Sequence, residues 1–375
     1  MIVVFSNIQF FLISSNFSQF ESYKMSTKQN PIKLDENFPI IQLVQNTNVD
    51  EPIPVHIIQD LSSHGLDMYS ELDRAYAWLL MLGILPPTQN KWESVYAEHR
   101  KSYQDFKLLY NIQDWDKVVL PVIFTERDFH IQNAHTMLII HQDLYRSASL
   151  LYFFPPQKIE GSEMQGQKDV LYDYSAHIRR LERILYIFAQ LNPGLSYLQG
   201  YHALLLPFFY VLIKSKFFNK NSDDVEMLSF AYFQIILSNT NLSNLYTVQD
   251  NNIIYHTLEV FTSLQKKHMP KIYNIFTKLN IIPMYYCFPW FTTLFNGLYD
   301  LPLLLILWDS LFAHFNDFIN FLFYIGLGQI KEIENDILAH PKEMNYILSK
   351  LQGIHNLDVK NVLKHANAFY NKDHH

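Results

Sequence analysis

The chain has 375 residues, of which 49% are hydrophobic, including 29 Phe and 24 Tyr, so it carries material for a large core and falls outside the disordered class. Basic residues number 29 against 36 acidic ones, a net charge of −7 without any Lys/Arg run, which argues against a nucleic-acid partner. Ten glycines and one cysteine, Cys287, argue against glycine-punctuated β folds, phosphate loops and disulfide scaffolds, and fit a reducing compartment such as the cytosol.

Residues 1–24 hold no charge before Glu21, so the basic region of a secretory signal is missing. Ser6, Asn7, Gln9 and the run Ser14 to Asn16 break the apolar stretch below the roughly 20 residues of a membrane helix. The segment reads as a leader ahead of a second start at Met25, with a membrane anchor as the alternative. Residues 25–60 are polar and contain Pro31, Pro39, Pro52 and Pro54; with the leader they make residues 1–60 an expected flexible arm or linker.

Helices are expected from Ser70 onward. Leu72, Trp78, Leu79 and Leu82 share a face that Gly83 and the Pro86-Pro87 pair bring to a stop, and a second helix, from about Lys91 to Tyr110, carries Trp92, Tyr96 and Tyr103. In Ile140 to Arg146 the Asp143 carboxylate lies one helical turn from the Arg146 guanidinium and can hold it ready for a phosphate. Residues 155–170 form a loop rich in proline, glycine and polar residues.

Leu181, Ile184, Leu185 and Phe188 give the next helix its apolar stripe, leaving Glu182, Arg183 and Gln190 to polar surroundings. Pro193 and Gly194 place a tight turn over Asn192 to Ser196. A second, almost wholly apolar helix then starts near Gln199 and Gly200, where free backbone N–H groups favour an anionic partner, with local hydrogen bonding and close packing as the commoner reason for such a pair. Further helices are expected at 225–237, where Asp223 and Asp224 suit the N-terminus, and at 252–266, 269–279, 289–298, 302–315 and 318–327. Two more fall within 341–370, divided near Gly353. Trp308 reads as packing, and Asp309 as a partner for a basic group or a helix end. Sixteen histidines include no His-Glu-x-x-His spacing, so no metal site is expected; Cys287 reads as a small buried apolar residue.

Several of these segments together resemble the TBC domains that activate Rab-type small GTPases. Ile140, Asp143 and Arg146 match the family's Ile-x-x-Asp-x-x-Arg motif; Tyr197, Gln199 and Gly200 match Tyr-x-Gln-Gly; Trp308 and Asp309 match its Trp-Asp pair. The opening helix with Trp78 and the segment Pro289 to Phe295 agree in order, so the resemblance covers about residues 70–330, with 331–375 as helices completing or flanking the domain.

The resemblance implies an all-α fold of two helical subdomains with a groove carrying the Arg and Gln motifs. It implies an activator that catalyses nothing alone but lends groups to the GTP-bound form of a Rab-family GTPase. Arg146 would be the arginine finger, Gln199 the water-positioning finger and Asp143 the residue orienting Arg146, while Tyr197 and Gly200 shape the glutamine loop. GTP and Mg²⁺ would belong to the partner, and the expected place is the cytoplasm or the periphery of endomembranes, in vesicle trafficking. The alternative is a scaffold of the same fold that binds a GTPase without stimulating it. This chain departs from the family pattern at Ser147, Tyr201 and Ile306, where Thr, Met and Arg are commoner, and at Asp73 to Ala75 ahead of Trp78.

Overall fold

In the computed structural model, residues 39–118, 125–159, 171–216, 222–246 and 251–374 are described; the expected leader at 1–24 and most of the loop at 155–170 lie outside them. Helices already fill part of the expected arm, α1 (Ile40–Asn46) and α2 (Val55–Ser62), with Ile40, Ile53 and Ile58 buried. Pro39 and Pro54 stand at the two N-caps, where a fixed φ and a missing N–H cost nothing. These prolines mark helix starts, so the flexible-arm expectation fails for residues 40–46 and 55–60.

α3 (Glu71–Met81) opens on a reciprocal capping box between Ser70 and Asp73, which settles the local geometry at Asp73 to Ala75 as ordinary helix. The chain continues through α4 (Trp92–Leu109), α5 (Ala134–Arg146), α6 (Ala148–Leu151), α7 (Ser175–Leu191), α8 (Tyr201–Ser215) and α9 (Ser222–Asn239). α10 (Asn251–His268), α11 (Pro270–Lys278), α12 (Phe288–Thr292), α13 (Leu301–Ala313), α14 (Phe318–Glu332), α15 (Glu334–Ala339), α16 (Met344–Gln352) and α17 (Val359–His374) complete it. Among the described residues no strand forms beyond isolated bridges, so the fold is all-α. The helix expected over 289–298 stops at Thr292 because Leu294 and Phe295 take positive φ, 50° and 65°, which a helix cannot accommodate.

α7 lies at the centre, packed against α5, α8 and α9, and is buried on nearly every side. Its charged residues are therefore not at a polar surface as their spacing suggests: Glu182 and Arg183 are 0% and 1% exposed. Each is matched instead by partners from distant segments, the condition for burying charge. Glu182 is paired with Arg179, bonds His141 Nδ1 at 2.5 Å and accepts from Trp115 Nε1 at 2.8 Å. Arg183 donates to both carboxylate oxygens of Glu226 on α9, at 2.5 and 2.8 Å, and to Asp116 at 2.9 Å. These bonds hold α5, α9 and the segment around Trp115 to one helix.

Burial pushes the Glu182 carboxyl up, but Arg179 and His141 outweigh it and hold the group at about 2, below its ordinary 4.5. A depressed carboxyl contributes stability that is present above pH 4.5 and is lost as pH falls toward 2, here roughly 3 kcal/mol. Urea melts between pH 5 and 2.5 should therefore show a steep loss in the wild type and a flatter one in Glu182→Gln. Equal slopes would remove Glu182 as the cause.

The C-terminal helices share the same core. Val359, Val362, Leu363 and Ala366 of α17 are buried, chiefly along α14. Gly328 permits this approach, since a Cβ there would lie 2.5 Å from the Val362 carbonyl oxygen. Buried apolar residues from Ile40 to Ala366 belong to one continuous cluster, so the described helices enclose a shared interior.

Candidate functional site

α5 begins with Asn133, whose side chain accepts from the Thr136 amide, and ends at Arg146. The helix brings Asp143 and Arg146 to one edge, where they form an ion pair between unlike environments: the Asp143 side chain is 0% exposed and that of Arg146 is 59% exposed. The carboxylate is thus fixed inside while the guanidinium reaches outward. Burial pushes the Asp143 carboxyl up, but hydrogen bonding from His202 and Tyr197 and the Arg146 contact outweigh it, so the group lies below its ordinary value and stays ionised near neutrality.

The glutamine segment is held to the same carboxylate. After α7 the chain turns through Asn192, whose carbonyl oxygen accepts from the Leu195 and Ser196 amides at 3.0 and 2.6 Å. The left-handed position in this turn is Ser196, at φ 52°, and not Gly194. Tyr197 then turns inward and its hydroxyl donates to Asp143 Oδ2 at 2.8 Å. Gln199 is exposed, and Gly200, at φ 104°, is the N-cap of α8. Tyr201 points into the core among Phe188, Phe233 and Tyr246, so its ring is withdrawn from the glutamine instead of crowding it.

One residue on, His202 brings Nδ1 to 3.2 Å from the Tyr197 hydroxyl and 3.6 Å from Asp143 Oδ2. The sequence carried no signal for it: it is one of sixteen histidines, and the carboxylate it approaches, Asp143, comes from a segment more than fifty positions away. Beside it lies a cavity of about 320 Å³ whose walls include Arg146, Phe153, His202, Asn296, Tyr299 and His355. Gln199 is not on that wall; its tie to Arg146 runs through Tyr197 and Asp143.

Trp308 and Asp309 occupy the interior. The Trp308 indole donates to the Leu294 carbonyl at 2.9 Å. Asp309 accepts from Arg74 Nε at 3.0 Å, Trp78 Nε1 at 2.8 Å and the Leu66 amide at 2.8 Å, joining α13 to α3. Arg74 thus supplies the basic partner of Asp309, while Ile306 packs over Gly65.

Residues 163–338 match the family model of the Rab-GTPase-TBC domain, a stretch that takes in Tyr197 to Gly200 and the Trp308-Asp309 pair. This stretch is similar to a TBC domain. Among curated relatives, the mouse TBC1 domain family member 13 is 28% identical, with 86% of this chain and 95% of the relative covered. A TBC domain-containing protein of Schizosaccharomyces pombe is 25% identical over 71% of this chain, which spans 60% of that relative's length. The fold is similar to a crystal structure of the Ypt/Rab-GAP domain of Gyp1p, with a TM-score of 0.64 and 16% identity over 89% of this chain and 99% of that one.

Gly200 is required by its backbone angle and not by crowding, since a Cβ there would meet nothing within 4 Å. Gly200→Ala should destabilise the protein by about 1–3 kcal/mol through strain alone. Chemical denaturation measures this directly, and an unchanged midpoint would show that the turn can relax.

Proposed function

We propose that the protein is a GTPase-activating protein for a Rab-type small GTPase. GTP hydrolysis needs the charge on the transferring phosphoryl group neutralised and the attacking water oriented. Arg146 supplies the first as an arginine finger, and Gln199 the second. Asp143 aims the guanidinium, while Tyr197 and Gly200 set the glutamine loop. The observation that carries this reading is the shared carboxylate: Arg146 and Tyr197 both bond Asp143, which joins the two motifs across 54 residues.

The nucleotide and Mg²⁺ enter with the GTP-bound partner, and the activator performs no chemistry of its own. It works in the cytoplasm or at the surface of endomembranes in vesicle trafficking; among the described residues no helix is long and apolar enough to cross a membrane. Single-turnover GTP hydrolysis by a panel of Rab-type GTPases, with wild type and Gln199→Ala, tests the assignment. Stimulation of at least one GTPase by the wild type, cut by the Gln199 substitution, is expected. Binding without stimulation would instead identify a scaffold.

A further inference from the structure

Resting on that activator reading, we infer that His202 is a positioning residue for the arginine finger, acting through Tyr197 and Asp143. Tyr197 has one hydroxyl proton, and it is directed at Asp143 Oδ2, 2.8 Å away. His202 Nδ1 therefore faces two acceptors, the phenolic oxygen at 3.2 Å and the carboxylate oxygen at 3.6 Å. A hydrogen on Nδ1 bonds the phenolic oxygen and faces the carboxylate, whereas a bare Nδ1 would set a third lone pair against them, so the imidazole is held with its hydrogen on Nδ1.

Three side chains from two segments converge on one buried carboxylate. Arg146 takes Oδ1, while Tyr197 and His202 are arrayed about Oδ2. Tyr197 holds Oδ2 and His202, on the first turn of α8, holds the Tyr197 hydroxyl in turn, so the carboxylate cannot rotate freely and Oδ1 stays aimed at the guanidinium on the last turn of α5. His202 is 14% exposed and shares the wall of the 320 Å³ cavity with Arg146, so the brace lies directly behind the finger and not in a remote part of the core. Without it the Tyr197 hydroxyl is free to turn away from Oδ2, the carboxylate loosens, and the guanidinium samples orientations that miss the phosphoryl group.

The test is single-turnover GTP hydrolysis on a stimulated Rab-type GTPase with the full chain, titrating wild type, His202→Ala and His202→Asn. His202→Ala is expected to lower the maximal stimulated rate by roughly ten- to a hundred-fold while leaving the half-saturating activator concentration unchanged, because the loss is one of orientation. His202→Asn, whose amide N–H can reach the same acceptors, should recover most of the rate and guards against a variant that fails to fold. Nitrogen-15 NMR of the wild-type imidazole should report the hydrogen on Nδ1, a readout independent of any GTPase. An unchanged maximal rate in His202→Ala, a shift confined to half-saturation, or a hydrogen on Nε2 alone would overturn the inference while leaving the activator reading intact. A wild type that stimulates no GTPase would overturn both.

Discussion

Arg146→Ala should abolish stimulated GTP hydrolysis, a loss on the order of a thousand-fold or more if the residue is an arginine finger. The stability cost should be small. Its side chain is 59% exposed, and an exposed ion pair contributes at most about 1 kcal/mol. Asp143 keeps its hydrogen bond from Tyr197 when the guanidinium is removed, so no buried charge is left bare. Arg146→Lys should also fail, because a single ammonium cannot span two phosphate oxygens in the planar, two-pronged manner of a guanidinium. Single-turnover hydrolysis at saturating activator, alongside a thermal melt, separates the two effects. A variant that melts like the wild type and still stimulates would exclude Arg146 as the finger.

Asp309→Ala carries the opposite signature, a large loss of stability with its site far from any exposed surface. The carboxylate is 0% exposed and accepts from the Arg74 guanidinium, the Trp78 indole and the Leu66 amide. Removing it leaves the Trp78 and Leu66 N–H groups without their acceptor and the buried Arg74 guanidinium with only Glu71 and the Leu66 carbonyl, which costs about 3–5 kcal/mol. Asp309→Asn keeps one carbonyl acceptor but no charge, and should fall between. Urea unfolding with a lowered midpoint and an unchanged slope is the expected result. A loss below about 1 kcal/mol would mean that water or a rearranged helix takes over the carboxylate's bonds.

The sequence alone determined the helical class, most helix positions after Ser70 and the positions of the matched motifs. Those features are local: apolar spacing, a capping residue, a proline pair or a glycine acts within a few positions of itself. Locality also explains the misreadings. Prolines at 39 and 54 look the same in an arm and at a helix start until Ile40 and Ile58 are known to be buried. Glu182 and Arg183 fall off the apolar stripe of their helix, and only the presence of α5, α9 and the Trp115 segment on the other sides turns that polar face into interior.

What the tertiary structure decided is which charged groups meet. Tyr197 reaches Asp143 across 54 positions and Asp309 reaches Arg74 across 235, and no periodicity records either pairing. A buried carboxylate has to be satisfied by whatever donors the packing delivers, so its partners follow from how helices cross and not from the order of residues along them. For that reason Arg146 and Gln199 could be picked out from their motifs, whereas His202 beside Asp143 and the Arg74 contact of Asp309 became visible only once the helices were packed.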